Sequence, residues 1–163
     1  MNEKDAVAVL SWHYEEPYAI YNMADDFLDI AAAKADMLDR RSPHYSVRNE
    51  QGELIGFFSF GSSGYVTAYD EPHLYSENNT ITFGLGLRPD LTGQSKGLGL
   101  AFVNAGLDFA RQQFAPDFFR LFVMTFNERA IKVYEQAGFQ HVRVFKRVYQ
   151  GHKDEFLEMS RPA

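Results

Sequence analysis

The chain has 163 residues, 45% of them apolar and 23% charged, and this length and composition suit one globular domain. Its formal net charge of −6 opposes a polyanionic partner, so nucleic-acid binding is not expected. No window of the sequence approaches the roughly 18 uninterrupted apolar residues that a membrane span needs. The chain has no cysteine and its first residues lack the apolar core of a secretory signal, so a cytoplasmic location is expected.

The first 60 residues predict a strand, a helical region and a hairpin. The apolar run 7–10 is a strand candidate, and residues 18–40 are rich in helix-forming Ala, Leu and Met, with a break near Asp25. The runs 44–47 and 53–60 flank the sequence NEQG. This pattern predicts an antiparallel hairpin in which Gly52 supplies the positive φ of the turn.

A long loop and another strand follow. Residues 61–79 combine Gly, Ser, Asn and Pro with three tyrosines, which is typical of a functional surface loop whose rings could face a ligand. Residues 81–87 predict a strand that ends at Arg88 and Pro89. Its two glycines, Gly84 and Gly86, indicate a bulge or a close approach of another group.

The second half alternates helices and strands. Apolar residues recur at helical spacing from Leu100 to Phe114, so this stretch predicts an amphipathic helix that stops before Pro116. Residues 119–126 are apolar on both faces, which is typical of a covered strand.

Asn127 is a candidate N-cap for a second helix, and Gly138 suits the left-handed position after its end. Residues 142–149 and 155–159 then predict a strand pair around Gly151. The full order of elements predicts a mixed α/β single domain.

The sequence QSKGLGL, between the predicted strand and the amphipathic helix, places glycines at the start of a helix. Free amides and the helix dipole favour an anion at this position, and glycine lets a phosphate oxygen approach the backbone. A dinucleotide fingerprint would need a third glycine where Phe102 stands. A nucleoside-triphosphate loop would need its lysine after the glycine, whereas Lys96 precedes Gly97. Both of those sites are therefore not expected.

Three segments together resemble the GNAT superfamily of acyl-CoA N-acyltransferases. Gln94, Gly97 and Gly99 fit its Gln/Arg-x-x-Gly-x-Gly/Ala pattern, and the upstream GLGLRPDLTG resembles its central strand and strand exit. The downstream FNERAIKVYEQAGF resembles its Asn-x-x-Ala-x-x-x-Tyr-x-x-x-Gly-Phe segment. The resemblance covers about residues 81–142.

This resemblance implies one GNAT domain over residues 1–163, with a mixed sheet, helices on both faces and two splayed central strands. Residues 1–60 would form the acceptor side and residues 81–142 the acetyl-CoA-binding core. Acetyl-CoA is the implied cosubstrate. Its pantetheine arm would add to a strand edge and its pyrophosphate would rest on the glycine loop.

The resemblance also assigns individual residues. Tyr134 would be the general acid that protonates the departing thiolate. Two residues, Ser95 and Lys96, look inserted relative to the usual link between strand and glycines. Contacts with acetyl-CoA through strand backbone, loop amides and the pantetheine arm are implied for Leu85, Gly86, Leu87, Gln94, Ser95, Lys96, Gly97, Leu98, Gly99, Leu100 and Asn127.

The general base is not evident. Relatives often hold an acidic residue just before the glycines of the central strand, where this chain has Thr82. Glu77, His73 or a water chain are the alternatives. The other histidines are scattered without metal-ligand spacing, so no metal site is expected.

The segment WHYEEPYAIYN is the most aromatic part of the chain. In the superfamily the region before the hairpin usually builds the acceptor pocket, so an aromatic and acidic wall could attract a cationic amine. The alternative is that the rings of this segment pack a helix on the sheet. The candidate acceptor-binding residues are Trp12, Tyr14, Glu15, Glu16, Tyr18 and Tyr21.

Two other candidates also have purely structural interpretations. Tyr134 could be a core aromatic, and Asn127 could be only an N-cap. The predicted function is transfer of an acetyl group to a small-molecule amine, by a protein that could act alone or as a homodimer. An acyl-CoA sensor without turnover, an acetyltransferase of protein amino termini and a non-enzymatic interaction domain are the alternatives.

Overall fold

The structure is a computed structural model that describes residues 1–23, 30–41, 43–64, 66, 79–94, 97–149 and 152–163. The chain falls into two compact units. The first comprises residues 1–63 with 85–94, and the second comprises residues 64–84 with 95–163. None of the helices in these described ranges has the length and apolar character that a membrane crossing requires.

The first unit begins with helix α1, Glu3–Leu10, where the sequence predicted a strand at residues 7–10. That prediction is wrong. The Asn2 side chain caps the helix by accepting from the Asp5 N–H at 2.8 Å. The apolar residues of the run are buried at helical spacing, at Ala6, Val9 and Leu10, and therefore face one side of a helix.

Residues 18–40 contain a 3₁₀ helix, Ala19–Tyr21, and helix α2, Ile30–Met37. The predicted break near Asp25 lies outside the described residues. Ala33 and Met37 of α2 pack with α1 and Phe57 in an apolar cluster. This cluster is the core of the first unit.

The predicted hairpin is confirmed. Strands β1, His44–Arg48, and β2, Leu54–Phe60, pair antiparallel, with His44 opposite Ser59 and a register shift at Val47/Arg48. Gly52 has a φ of 80° in the turn, as predicted.

Strand β3, Thr80–Leu87, is also confirmed and contributes to both units. The predicted close approach of another group occurs at Gly86, where a Cβ would lie 2.2 Å from Cε1 of Phe57. Only glycine leaves room for that ring. A 3₁₀ helix, Pro89–Leu91, follows the strand.

The second unit contains three further strands and two helices, with wider bounds than predicted for the last strand pair. They are α3 Leu98–Phe114, β4 Phe118–Met124, α4 Glu128–Gln136, β5 Gln140–Tyr149 and β6 His152–Pro162. The predicted turn at Gly151 lies outside the described residues. Helix α3 stops at Ala115, which has a φ of 46° and precedes Pro116.

The strands are hydrogen-bonded in the order β1-β2-β3-β4-β6-β5. β3 pairs in parallel with β4 from Thr80–Phe118 to Thr82–Arg120, while β4 pairs with β6 over its whole length. In the described part of the chain, four α-helices accompany these six strands. The predicted mixed α/β fold is therefore confirmed.

The interior of the second unit contains a buried ion network as well as apolar residues. Arg120 of β4 and Glu158 of β6 are 3% and 4% exposed, and Nε of Arg120 lies 3.0 Å from Oε1 of Glu158. The Arg143 guanidinium on β5 donates to the other carboxylate oxygen at 2.7 Å. One carboxylate thus links three adjacent strands.

Candidate functional site

Helix α3 begins in a conformation that favours anion binding. Gly97 is its N-cap, with a left-handed φ of 73°, and it has no side chain that could cap the helix. The N–H groups of Leu98, Gly99 and Leu100 therefore belong to a first turn without acceptors inside the helix. This turn carries no acidic side chain, so its partial positive charge is not offset locally.

Gly99 stands inside the first turn, where no special backbone conformation requires glycine. A Cβ there would lie 3.5 Å from Cγ2 of Val133 in α4, an ordinary van der Waals distance. The fold itself would therefore accept alanine at position 99. The same distance shows that the start of α3 packs beside the residue that precedes Tyr134.

Helix α4 carries the two other candidates of the second unit. Asn127 caps the helix as predicted, because its Oδ1 accepts from the Ala130 N–H at 3.2 Å. Tyr134 is half-buried, and its ring centroid lies 6.1 Å from that of Phe139 in an edge-on arrangement. The structure thus brings Gly99 of α3 and the helix of Tyr134 together.

In the first unit, the exit of β3 is bound to the aromatic segment. The Tyr14 hydroxyl donates to the Leu87 carbonyl at 2.8 Å. Burial raises the pKa of Tyr14 from 10.0 to about 12, so the hydroxyl keeps its proton and remains a donor into the alkaline range. Tyr14 therefore contacts one of the three strand residues, Leu85 to Leu87, that were predicted to bind pantetheine.

Of the three residues that precede Gly97, the structure describes only Gln94. The Gln94 side chain is exposed and donates from Nε2 to the Asp90 carbonyl at 2.5 Å. Ser95 and Lys96 lie outside the described residues.

The candidate acceptor residues differ in their surroundings. Trp12 packs against the apolar cluster of the first unit, with its ring 6.3 Å from that of Phe57, which is the arrangement of the packing alternative. Tyr18 and Tyr21 are half-buried, whereas Glu15 and Glu16 are exposed. These two carboxylates are open to a ligand in solution.

Thr82, at the position where relatives often hold an acid, is 2% exposed and lies beside Arg120 in the parallel register. The proposed bases Glu77 and His73, and most of the loop 61–79, lie outside the described residues. Within the described ranges, no three His, Cys, Asp or Glu side chains gather as metal ligands.

Asn22 is a residue that sequence reasoning missed. It is 3% exposed, and its Oδ1 accepts from the Tyr14 N–H at 2.7 Å. A single asparagine in an aromatic segment has no spacing pattern that would indicate this contact.

The class of the protein follows from comparison with known families, and the mixed α/β fold agrees with it. The family model described as the acetyltransferase (GNAT) family matches residues 6–139. The chain belongs to this family and is an acetyl-CoA-dependent N-acetyltransferase. No curated protein sequence matches it significantly.

Solved structures of N-acetyltransferases share the fold at low sequence identity. The chain is similar to a ribosomal-protein-alanine N-acetyltransferase from Brucella melitensis, with a TM-score of 0.72, 19% identity, and coverage of 100% of this chain and 97% of that one. It is also similar to a chimera of the spermidine N-acetyltransferase SpeG from Vibrio cholerae and hSSAT, with a TM-score of 0.69, 18% identity, and coverage of 99% and 92%. A protein provisionally assigned as a phosphinothricin N-acetyltransferase has a TM-score of 0.69, 20% identity, and coverage of 99% and 94%.

Proposed function

We propose that this protein transfers an acetyl group from acetyl-CoA to the primary amine of a small molecule. The observation that carries the proposal is the start of α3. There the left-handed Gly97 and a first turn without acidic residues offer backbone N–H groups to an anion. The pyrophosphate of acetyl-CoA supplies such an anion.

Gly99 supports the same assignment. Glycine lowers helix stability by about 0.5–1 kcal/mol relative to alanine. The neighbouring Val133 would tolerate a Cβ at 3.5 Å, so packing inside the protein does not account for the missing side chain. A phosphate oxygen close to the backbone accounts for it.

The remaining residues have distinct proposed roles. Acetyl-CoA supplies the acyl group as an activated thioester. Tyr134 donates a proton to the departing thiolate, and the backbone of β3 at Leu85 to Leu87 receives the pantetheine arm. Asn127 contacts the same arm through the side chain that caps α4. Residues 81–142 thus form the acetyl-CoA-binding core and residues 1–60 the acceptor side.

The acceptor is proposed from charge and exposure. Glu15 and Glu16 are exposed in the aromatic segment, where two carboxylates attract an ammonium group. The attacking amine must be neutral, so a base or water removes its proton before attack. The spermidine acetyltransferase named above acts on a small polyamine, which agrees with this choice.

Acetylation of protein amino termini is the second candidate, favoured by the similarity to a ribosomal-protein-alanine N-acetyltransferase. A library of small amines and peptides with different amino termini, assayed by release of the CoA thiol, separates the two. Turnover with small amines supports the proposal. Turnover only with peptides would replace it, and acetyl-CoA binding without turnover on any amine would indicate a sensor.

A further inference from the structure

The buried amide of Asn22 organises the aromatic segment by several hydrogen bonds. Its Oδ1 accepts from the Tyr14 N–H at 2.7 Å, and its Nδ2 lies 3.2 Å from Nδ1 of His13. Because an amide nitrogen can only donate, Nδ1 of His13 accepts in this contact. The Asn22 N–H in turn donates to the Ala19 carbonyl at 2.9 Å. The orientation of Asn22 is thus determined by partners on two sides.

Tyr14 extends this network to Leu87 of strand β3, which lies 73 residues further along the chain. Its hydroxyl donates to the Leu87 carbonyl at 2.8 Å. The N–H of the same peptide group, on Arg88, donates to the Ile55 carbonyl of β2 at 2.8 Å. The carbonyl and the N–H of a trans peptide point in opposite directions. The Leu87–Arg88 peptide is therefore held from both sides.

This geometry identifies the edge of β3 that Tyr14 reaches. Because the Arg88 N–H points to β2, the Leu87 carbonyl points away from β2. In a regular strand the N–H and carbonyl of Leu85 point the same way as those of Leu87. Tyr14 therefore reaches the edge of β3 that faces away from β2, where the pantetheine arm is proposed to add.

We propose that Asn22 and Tyr14 are positioning residues that fix the acetyl-CoA-binding edge of β3 to the acceptor segment. This inference rests on the proposed binding of acetyl-CoA along Leu85 to Leu87. Asn22 orients the Tyr14 backbone, and the Tyr14 hydroxyl holds the Leu87 carbonyl in place. The cosubstrate then pairs with the backbone groups of Leu85 and the Leu87 N–H, which lie on the same edge.

The two residues act in series, which a double-mutant cycle can test. Calorimetry gives the dissociation constant of acetyl-CoA for the wild type, Tyr14→Phe, Asn22→Ala and the double variant, well below each unfolding midpoint. Tyr14→Phe should weaken binding about 2- to 10-fold, the range of one hydrogen bond. The double variant should lie within about twofold of Asn22→Ala, because the second change removes a link already broken. Asn104→Ala, an exposed asparagine of α3, serves as the matched control and should bind like the wild type.

The outcomes of these measurements test the inference and the proposed function separately. If the effects of the two changes multiply, or if Tyr14→Phe binds acetyl-CoA as tightly as the wild type, the inference is overturned while acetyl-CoA binding stands. A purely structural role would lower the unfolding midpoint and leave affinity unchanged in the folded state. If Asn22→Ala does not fold, Tyr14→Phe alone decides the matter. A wild-type protein that binds no acetyl-CoA would instead remove the proposed function itself.

Discussion

Positions 97 and 99 are two residues apart, and different reasons account for the glycine at each. Gly97 has a φ of 73°, a conformation that L side chains avoid, and a Cβ there would meet no described atom within 4 Å. Gly99 lies in the regular first turn of α3, beside Val133. Backbone conformation therefore explains the first glycine, and ligand approach is the proposed explanation of the second.

Alanine substitutions should separate these two roles. Gly97→Ala should lower the free energy of unfolding by about 1 kcal/mol, because it places a side chain in the left-handed region. Gly99→Ala should keep or slightly raise stability and yet weaken acetyl-CoA binding. Urea denaturation and calorimetry give the two quantities. Wild-type affinity in folded Gly99→Ala would remove the pyrophosphate assignment.

Tyr134 is the proposed proton donor, and its hydroxyl can be tested alone. Tyr134→Phe should lower kcat by about 10²- to 10⁴-fold, the usual contribution of a general acid. The dissociation constant of acetyl-CoA should stay near the wild-type value, because the ring and its contact with Phe139 are retained. Full activity of this variant across the pH range would reduce Tyr134 to a packing residue.

Tyr14 should make the fold sensitive to alkaline pH. Burial raises its pKa from 10.0 to about 12, so the unfolded chain releases the phenol proton at lower pH than the folded protein does. Its contribution to stability is therefore complete below pH 10 and is lost as the pH rises toward 12. Thermal unfolding of wild type and Tyr14→Phe over this range measures the difference, and parallel curves would contradict the assignment.

At the scale of secondary-structure elements, the carboxylate of Glu158 joins strands β4, β5 and β6. Glu158→Gln should cost about 3–5 kcal/mol of stability, because it removes the buried negative charge that lies 3.0 Å from Arg120. The exposed Glu135–His141 pair, 2.9 Å apart, provides the control, and Glu135→Gln should change stability by less than about 1 kcal/mol. Urea denaturation of both variants checks this. Equal losses of stability in the two variants would show that burial does not strengthen the Arg120–Glu158 pair.

At the scale of the whole molecule, the acidic balance of the chain agrees with a cationic acceptor. Glu15→Gln combined with Glu16→Gln should raise the KM of the acceptor more than it lowers kcat, as expected when uniform binding is lost. Activity should also increase toward alkaline pH, because only the neutral amine attacks. Steady-state kinetics across pH measures both. Unchanged KM and kcat in the double variant would show that Glu15 and Glu16 do not bind the acceptor.

The sequence alone was sufficient wherever a structure depends on neighbouring residues. The hairpin turn at Gly52, the Asn127 cap and the left-handed Gly138 follow from backbone conformation and local hydrogen bonds. The glycine motif with its following helix, together with the segments 84–93 and 126–139, also indicates the GNAT family. The prediction of a strand at residues 7–10 was wrong because four apolar positions fit a strand or a helix equally well.

Only the tertiary structure decided the contacts between residues distant in the chain. The packing partners of Ala6, Val9 and Leu10 select a helix for α1, because one helical face can be buried in the cluster. The Tyr14–Leu87 bond joins residues 73 positions apart, and the Arg120–Glu158 pair joins two strands whose register no local pattern specifies. Their energy comes from burial and from hydrogen bonds formed across elements, and these exist only once the chain has folded.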